Sequence, residues 1–297
     1  MTKLRLSLKN SAKPALLVNL LIFLCLVFGC SSSTEPTYTK ENIVDSIQDI
    51  CRKEHNIEVE ARLVGRTLWV YLPLEDLFSV SEKPEKFTQK FVIEQNQGQF
   101  SEGTLKVEYL IKPIPTKEEL NNFGYDKAAS DKFYKVLRVL RRIVFSTKHS
   151  DENAPRFFVL VMADIKNGIM IQQVFYYLDL KKVSYNFIST EEFSHRSLQD
   201  SEKSPQIIGD RQGLSLDYRD ITMEEFIIKQ IQRRIDLKFQ KPEVSQAADV
   251  DKEILKIVSN TLKIYEFKDF NAAQLYNQLT EDKTFLKKAE VLAGPSD

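Results

Sequence analysis

An α+β fold is what this sequence predicts, built from helix-plus-β-hairpin units packed as an antiparallel sheet with helices, and with a helical C-terminal third. Two observations predict it. Apolar residues at helical spacing and at alternating spacing fall in separate blocks, not in a β-α-β rhythm, which argues against a doubly wound parallel sheet. The order helix, strand, glycine turn, strand also occurs twice, around Gly65 and around Gly168.

Residues 40–54 place Ile43, Ile47 and Ile50 on one side of an amphipathic helix. Ile57, Val59, Ala61 and Leu63 alternate, Gly65 turns the chain, and Leu68, Val70 and Leu72 alternate again, which reads as a hairpin. Trp69 and Tyr71 fall on its opposite face, where a second packed layer is expected to cover them. Residues 87–112 read as more strand, with Phe91, Val92 and Ile93 on one side of a polar turn and Leu105, Val107, Tyr109 and Ile111 on the other. Pro113 and Pro115 are expected to close that stretch, because proline donates nothing to a sheet ladder. Residues 130–145 form the most regular helix, with Phe133, Val136, Leu137, Leu140, Ile143 and Val144 on one stripe. Residues 157–161 and 169–177 make a second hairpin joined by Asn167-Gly168, a favoured turn pair because both residues tolerate positive φ. Each second strand runs into a leucine and an acid, Leu74-Glu75 and Leu178-Asp179, and the recurrence reads as a duplicated αββ unit over residues 40–125 and 126–194. Residues 195–220 are polar and read as a long surface loop. Thr222 and Glu225 form a capping box that opens a helix through about Phe239, with Ile227, Ile228, Ile231 and Ile235 on its apolar side and Pro242 beyond it. Residues 251–264 repeat the helical pattern, and residues 272–279 are expected to begin a last helix. The chain thus divides into an α+β domain over 40–220 and a helical region over 221–297 packing on it.

Composition narrows the function. The 297 residues carry 42 Lys+Arg and 42 Asp+Glu, so the formal charge of zero excludes a strongly basic nucleic-acid binder. With 28% charged and 42% hydrophobic residues the chain is not disordered throughout. Nine glycines leave little material for a loop that wraps phosphate, and neither a P-loop nor a GxSxG elbow is present.

The first thirty residues follow a different order. Lys3, Arg5, Lys9 and Lys13 precede an apolar run from Ala15 to Gly29 interrupted only by Asn19, and Cys30 is followed by Ser31, Ser32 and Ser33. A cationic start, an apolar core and a small-residue junction are the parts of a secretory signal. Fifteen residues fall short of the ~20 that span a hydrocarbon layer. The junction Leu26-Val27-Phe28-Gly29-Cys30 resembles the lipobox of bacterial lipoproteins, with Val27 three before the cysteine and Gly29 next to it. That resemblance implies removal of residues 1–29 between Gly29 and Cys30, a diacylglyceryl thioether on Cys30 and acylation of its new amine. It places the protein at the cell envelope, anchored to a membrane through Cys30. Ser31, where an aspartate commonly retains such proteins at the inner membrane, favours an outer membrane where there is one, with the domain in the periplasm.

Residues 31–39 read as a tether reaching about 30 Å when fully stretched. Loss of residues 1–29 removes four cations and leaves a net charge of −4, which argues against whole-domain adhesion to nucleic acid or anionic lipid. Cys25 leaves with the signal and Cys30 is acylated, so Cys51 is the one remaining thiol, no disulfide forms within the chain, and its place on the 40–54 stripe makes it an inert buried thiol.

No catalytic, metal or cofactor constellation emerges. His55, His149 and His195 are isolated, and Gly213-Leu214-Ser215-Leu216-Asp217 lacks a strand-to-helix setting. The acidic pairs Glu118-Glu119, Glu191-Glu192 and Glu224-Glu225 are neighbours that point apart. Asp164, at a strand end before a turn, is expected to hydrogen-bond the turn backbone. Lys132, Lys135, Arg138, Arg141 and Arg142 form a basic helix face, read as solvated and balanced by nearby acids, with an anion-binding or membrane-facing surface as the other reading. The expectation is a non-enzymatic, lipid-anchored binding or scaffolding protein with an envelope protein as partner. The alternatives are a solute-capturing lipoprotein with a cleft lined by Trp69 or Tyr71, and an anchored hydrolase.

Overall fold

The computed structural model describes residues 38–147 and 154–295. Gly29, Cys30 and the segments read from the sequence as signal and tether, up to residue 37, lie outside them, as does His149. The described residues build an α+β fold. Helix α1 (Ile43–His55) buries Ile43, Ile47 and Cys51 at a spacing of four, the inward stripe of an amphipathic helix. Strands β1 (Glu60–Val64) and β2 (Thr67–Leu74) pair antiparallel around Gly65, whose φ of +57° suits a residue without Cβ.

The next hairpin is much longer than its sequence suggests, with β3 (Phe78–Ser101) running against β4 (Thr104–Tyr125). Pro113 and Pro115 do not end β4, contrary to expectation. Pro113 faces Phe91 where the register slips between Gln89 and Phe91, and residues 114–116 have no partner on β3. The other neighbour of β4 reaches only from Thr104 to Tyr109, so neither proline removes a ladder donor on that side. Over residues 80–89 and 117–124 no strand among the described residues lies on either outer edge of the ribbon, and it exposes Val80, Phe87, Leu120 and Phe123.

Helix α2 (Lys127–Phe145) is capped by Asp126, which accepts hydrogen bonds from the backbone N–H of Ala128 and Ala129. After it come β5 (Phe157–Asp164), β6 (Ile169–Tyr176), α3 (Tyr177–Ser184), α4 (Thr190–Arg196) and β7 (Leu198–Lys203). The stretch read as a surface loop therefore contains an edge strand, because Gln199 and its neighbours find partners on β6. The chain ends in α5 (Met223–Phe239), α6 (Val250–Ile264), β8 (Ala272–Asn277), β9 (Asp282–Lys287) and α7 (Lys288–Ala293). Residues 272–277 are strand, not helix, since β8 lies parallel to β4 from Thr104 to Tyr109. The C-terminal third is accordingly only partly helical.

The two sheets run β1-β2-β5-β6-β7 and β3-β4-β8-β9. Both are mixed rather than purely antiparallel. In each, two hairpins are joined by a parallel pair of inner strands, β2 with β5 and β4 with β8. Strand β5 is buried at every position, which is why Phe157-Phe158-Val159-Leu160-Val161-Met162 reads as an unbroken apolar run. Phe158, Leu160 and Met162 join Leu68, Val70 and Leu72 in one buried cluster with α1 and α2. Phe157, Val159 and Val161 join Trp69 and Tyr71 in another with α5, α6 and Leu105, Val107 and Tyr109 of the second sheet. Each large apolar side chain fully buried in this way contributes about 1.5–3 kcal/mol.

A buried polar cluster ties α3, α4, α5 and α6 together. Arg196 Nη1 lies 3.1 Å from Asp179 Oδ1 and its Nε 2.7 Å from Glu192 Oε1. The Gln230 side-chain amide donates to the Arg196 carbonyl, and Tyr265 stands beside Asp179.

Candidate functional site

The most distinctive arrangement of polar groups surrounds the β7 edge of the first sheet. Thr222 Oγ1 accepts the Glu225 N–H at 3.2 Å and fixes where α5 begins. That register buries Phe226, Ile227, Ile231 and Ile235. It aligns Glu225, Lys229, Gln232, Arg233 and Asp236 at positions i, i+4, i+7, i+8 and i+11, one polar stripe. Arg219 makes a two-pronged ion pair with Glu225. Asn96 of β3 donates to the Gln232 carbonyl and to Asp236 Oδ1, both at 2.8 Å, while the Gln232 amide donates back to the Asn96 carbonyl at 2.9 Å. Helix α5 is thereby held against β3. The approach is close: a Cβ at Gly98 would stand 2.8 Å from Ile228 Cγ2.

Two clefts flank the edge strand β7. The first, of about 400 Å³, lies between the polar stripe of α5 and Gln172, Val174, Leu198 and Asp200. The second, of about 310 Å³, lies across the sheet edge and has an apolar wall of Phe133, Leu137, Met162, Phe175 and Phe193, with Ser194 and Ser197 among its polar lining. Gln199 and Arg233 border both. Gln199 is held by a chain of hydrogen bonds, its Oε1 accepting from Gln173 and its Nε2 donating to the Tyr125 hydroxyl, each at 3.2 Å. Arg233 Nε is buried and has no hydrogen-bond partner among the described residues. Burial pushes the Arg233 pKa down, against the pull of Asp236 and Tyr125. Burial likewise pushes the Asp236 carboxyl up, against the Asn96 hydrogen bond and the Arg233 charge. The partly dried Arg233 guanidinium, which borders both clefts beside an apolar wall, is suited to an anionic group carried on an apolar body.

The sequence-derived candidates lie elsewhere. Trp69 and Tyr71 are buried and line neither cleft. The Trp69 indole donates to the Arg219 carbonyl at 2.8 Å and the Tyr71 hydroxyl to the Asp210 carbonyl at 2.6 Å, so both anchor the 210–219 loop. Asp164 accepts from the N–H groups of Leu77, Lys166 and Asn167 and from the Asn167 side chain, the turn role expected of it. Cys51 is fully buried, and burial, with Glu54 adding to it, pushes its thiol up to about 12, far from the reactive thiolate. His55 closes α1 and His195 lies in the last turn of α4. Glu118 pairs with Lys86, Glu192 with Arg196, and Glu225 with Arg219. On the basic face, Arg142 pairs with Glu54 and Arg141 donates to Ser184, while Lys132, Lys135 and Arg138 make no ion pair among the described residues.

Arg233 was not singled out from the sequence, because the Arg233-Arg234 pair on an amphipathic helix looks like an ordinary solvated face. Among the described residues, no group of three or more His, Cys, Asp or Glu is placed to hold a metal ion, and no helix is long and apolar enough to cross a membrane. No family model, no curated protein and no solved structure matches this chain.

Proposed function

We propose that the protein is a lipid-anchored component of a bacterial envelope whose folded domain is a binding and scaffolding module. The observation that carries this reading is the apolar run 15–29 ending in Leu26-Val27-Phe28-Gly29-Cys30, with a serine tract after it. One acyl chain at ~0.8 kcal/mol per buried CH₂ holds only reversibly, whereas the two or three that this junction implies on Cys30 hold firmly. An envelope protein partner is supported by the β3–β4 ribbon, whose free edges and exposed Val80, Phe87, Leu120 and Phe123 are features that a second chain covers. Mass spectrometry of the mature N-terminal fragment should find a diacylglyceryl thioether on Cys30. Cys30→Ser should lack the added lipid mass at position 30. A bare thiol at Cys30 of the mature wild-type chain would overturn the anchor.

A second reading, capture of a solute, is favoured by the Arg233 guanidinium, which borders both clefts. An anilinonaphthalene sulfonate, an aromatic body with one anionic group, should bind there, and Arg233→Met should weaken its affinity about tenfold, ~1.4 kcal/mol. Equal affinity in wild type and variant would remove the clefts from consideration.

A further inference from the structure

Tyr38, the residue through which the chain joins the described domain, is fixed at one end of α2. Its N–H donates to the Ser146 carbonyl at 3.1 Å, and Tyr38 bridges in parallel to Thr147. The same end of α2 meets the end of α3 in a group of exposed aromatic rings. Phe145, Tyr185 and Phe187 are 39%, 59% and 77% exposed, with centroids 4.8 Å apart for Phe145–Tyr185 and 5.9 Å for Tyr185–Phe187.

Cations surround these rings. Arg138, Arg141 and Phe145 follow one another at i, i+3 and i+7 along α2, and Lys181 precedes Tyr185 by one turn of α3. Arg141 Nε donates to Ser184 Oγ at 2.7 Å and joins the two helices into one face. Among the described residues, Arg138, Arg141, Lys181 and Lys182 have no carboxylate within ion-pair distance, although the processed chain is net acidic.

We propose that this aromatic and basic face lies against the anionic headgroups of the bilayer that holds Cys30. The inference rests on the lipid-anchor reading above, and three features commit it to a lipid surface. Seven residues, 31–37, separate Cys30 from Tyr38, so the anchor lies within about 26 Å of the point where the domain begins. Amphipathic rings flanked by arginine and lysine match the chemistry of the water–lipid boundary. Charge attraction reaches only ~10 Å at 0.1 M salt, but a short tether keeps the face at high effective concentration beside the lipid, so a weak affinity is enough to set the orientation.

The test uses the full-length lipidated protein in vesicles of phosphatidylethanolamine and phosphatidylglycerol carrying dibrominated acyl chains. Trp69 is 3% exposed and provides a constant background. Phe187→Trp should show an added emission that the brominated lipid quenches about twofold, as an interfacial indole is quenched. Leu214→Trp, on the loop that covers the opposite face of the first sheet, should not be quenched. Arg138→Glu with Lys182→Glu, or high salt, should remove the quenching at position 187 while the protein still floats with the vesicles. Flotation without quenching at 187, including the case where a second copy or another protein covers the rings, overturns this inference and leaves the anchor intact. Failure of the wild-type protein to float overturns the anchor reading itself.

Discussion

Replacing Arg196 by alanine should lower folding stability by about 3–5 kcal/mol, the usual result of leaving one member of a buried ion pair alone. Asp179 is only 2% exposed, so no solvent is at hand to replace the guanidinium, and its second oxygen, Oδ2, has no hydrogen-bond partner among the described residues. In the intact cluster burial pushes the Asp179 carboxyl up while Arg196 pulls it back. Without Arg196 only the Lys182 charge and Tyr265 still oppose the upward push, so burial dominates further and the carboxyl takes up a proton on folding. The folded state then binds more protons than the unfolded one, so the variant should lose further stability as pH rises above ~3.9, the unfolded aspartate value. Urea unfolding at acid and neutral pH measures both effects. Arg196→Met combined with Asp179→Asn should recover much of the loss, because the stranded charge has gone. If the two changes are simply additive, the cluster is not a coupled unit.

Asp164→Ala should cost a similar amount, about 3–4 kcal/mol, for a different reason. The carboxylate satisfies the N–H of Leu77 at 3.1 Å and of Asn167 at 2.8 Å, and it thereby joins the β5–β6 turn to the segment between β2 and β3. Each buried donor left without an acceptor costs roughly 1–3 kcal/mol. Asp164→Asn, which keeps one acceptor oxygen, should fall between wild type and alanine. Burial pushes the Asp164 carboxyl up, but the hydrogen bonds from Asn167, Leu77 and Lys166 outweigh it and hold the group below the usual carboxylate range. A depressed folded pKa supplies stability above the unfolded value of ~3.9 that is lost as pH falls through the folded value. The Tm gap between wild type and Asp164→Asn should therefore narrow on acidification. A gap independent of pH would show that the charge contributes nothing beyond the geometry of the turn.

Strongly periodic and local elements were legible in the sequence. The stripes of α1, α2, α5 and α6, the hairpin ending at Gly168 and the Thr222 cap all act within a few residues, although the β5–β6 turn takes four residues, 165–168, and only Gly168 of the Asn167-Gly168 pair has a positive φ. Elements whose partners are remote were not. Ala272-Ala273-Gln274-Leu275-Tyr276-Asn277 suits either helix or strand, and what decides is β4, whose Thr104 pairs with Ala272. The outer part of the β3–β4 ribbon is polar and contains Pro84, Pro113 and Pro115, so its composition resembles a loop; register slips let the ladder pass all three. The mixed character of the sheets was hidden for the same reason, since parallel pairing joins segments distant in sequence. Of the candidate site, Thr222 was read correctly as the helix cap, but Glu225 does not close the expected capping box, since its carboxylate pairs with Arg219 instead. Arg233 acquires its setting only when β7, itself read as loop, takes its place beside α5.

The parallel junctions also set an order of events during synthesis. Once residue 203 has emerged, the first sheet has every strand it needs, whereas the second lacks its C-terminal hairpin until the last tenth of the chain arrives. Ordering a loop of that span is entropically slow. Until then β4 presents an open hydrogen-bonding edge from Thr104 to Tyr109, which invites pairing with the wrong neighbour. A nascent chain of this protein therefore calls for escort by a holding chaperone during that interval, and versions shortened at the C-terminus should be cleared by proteolysis in place of accumulating half-built.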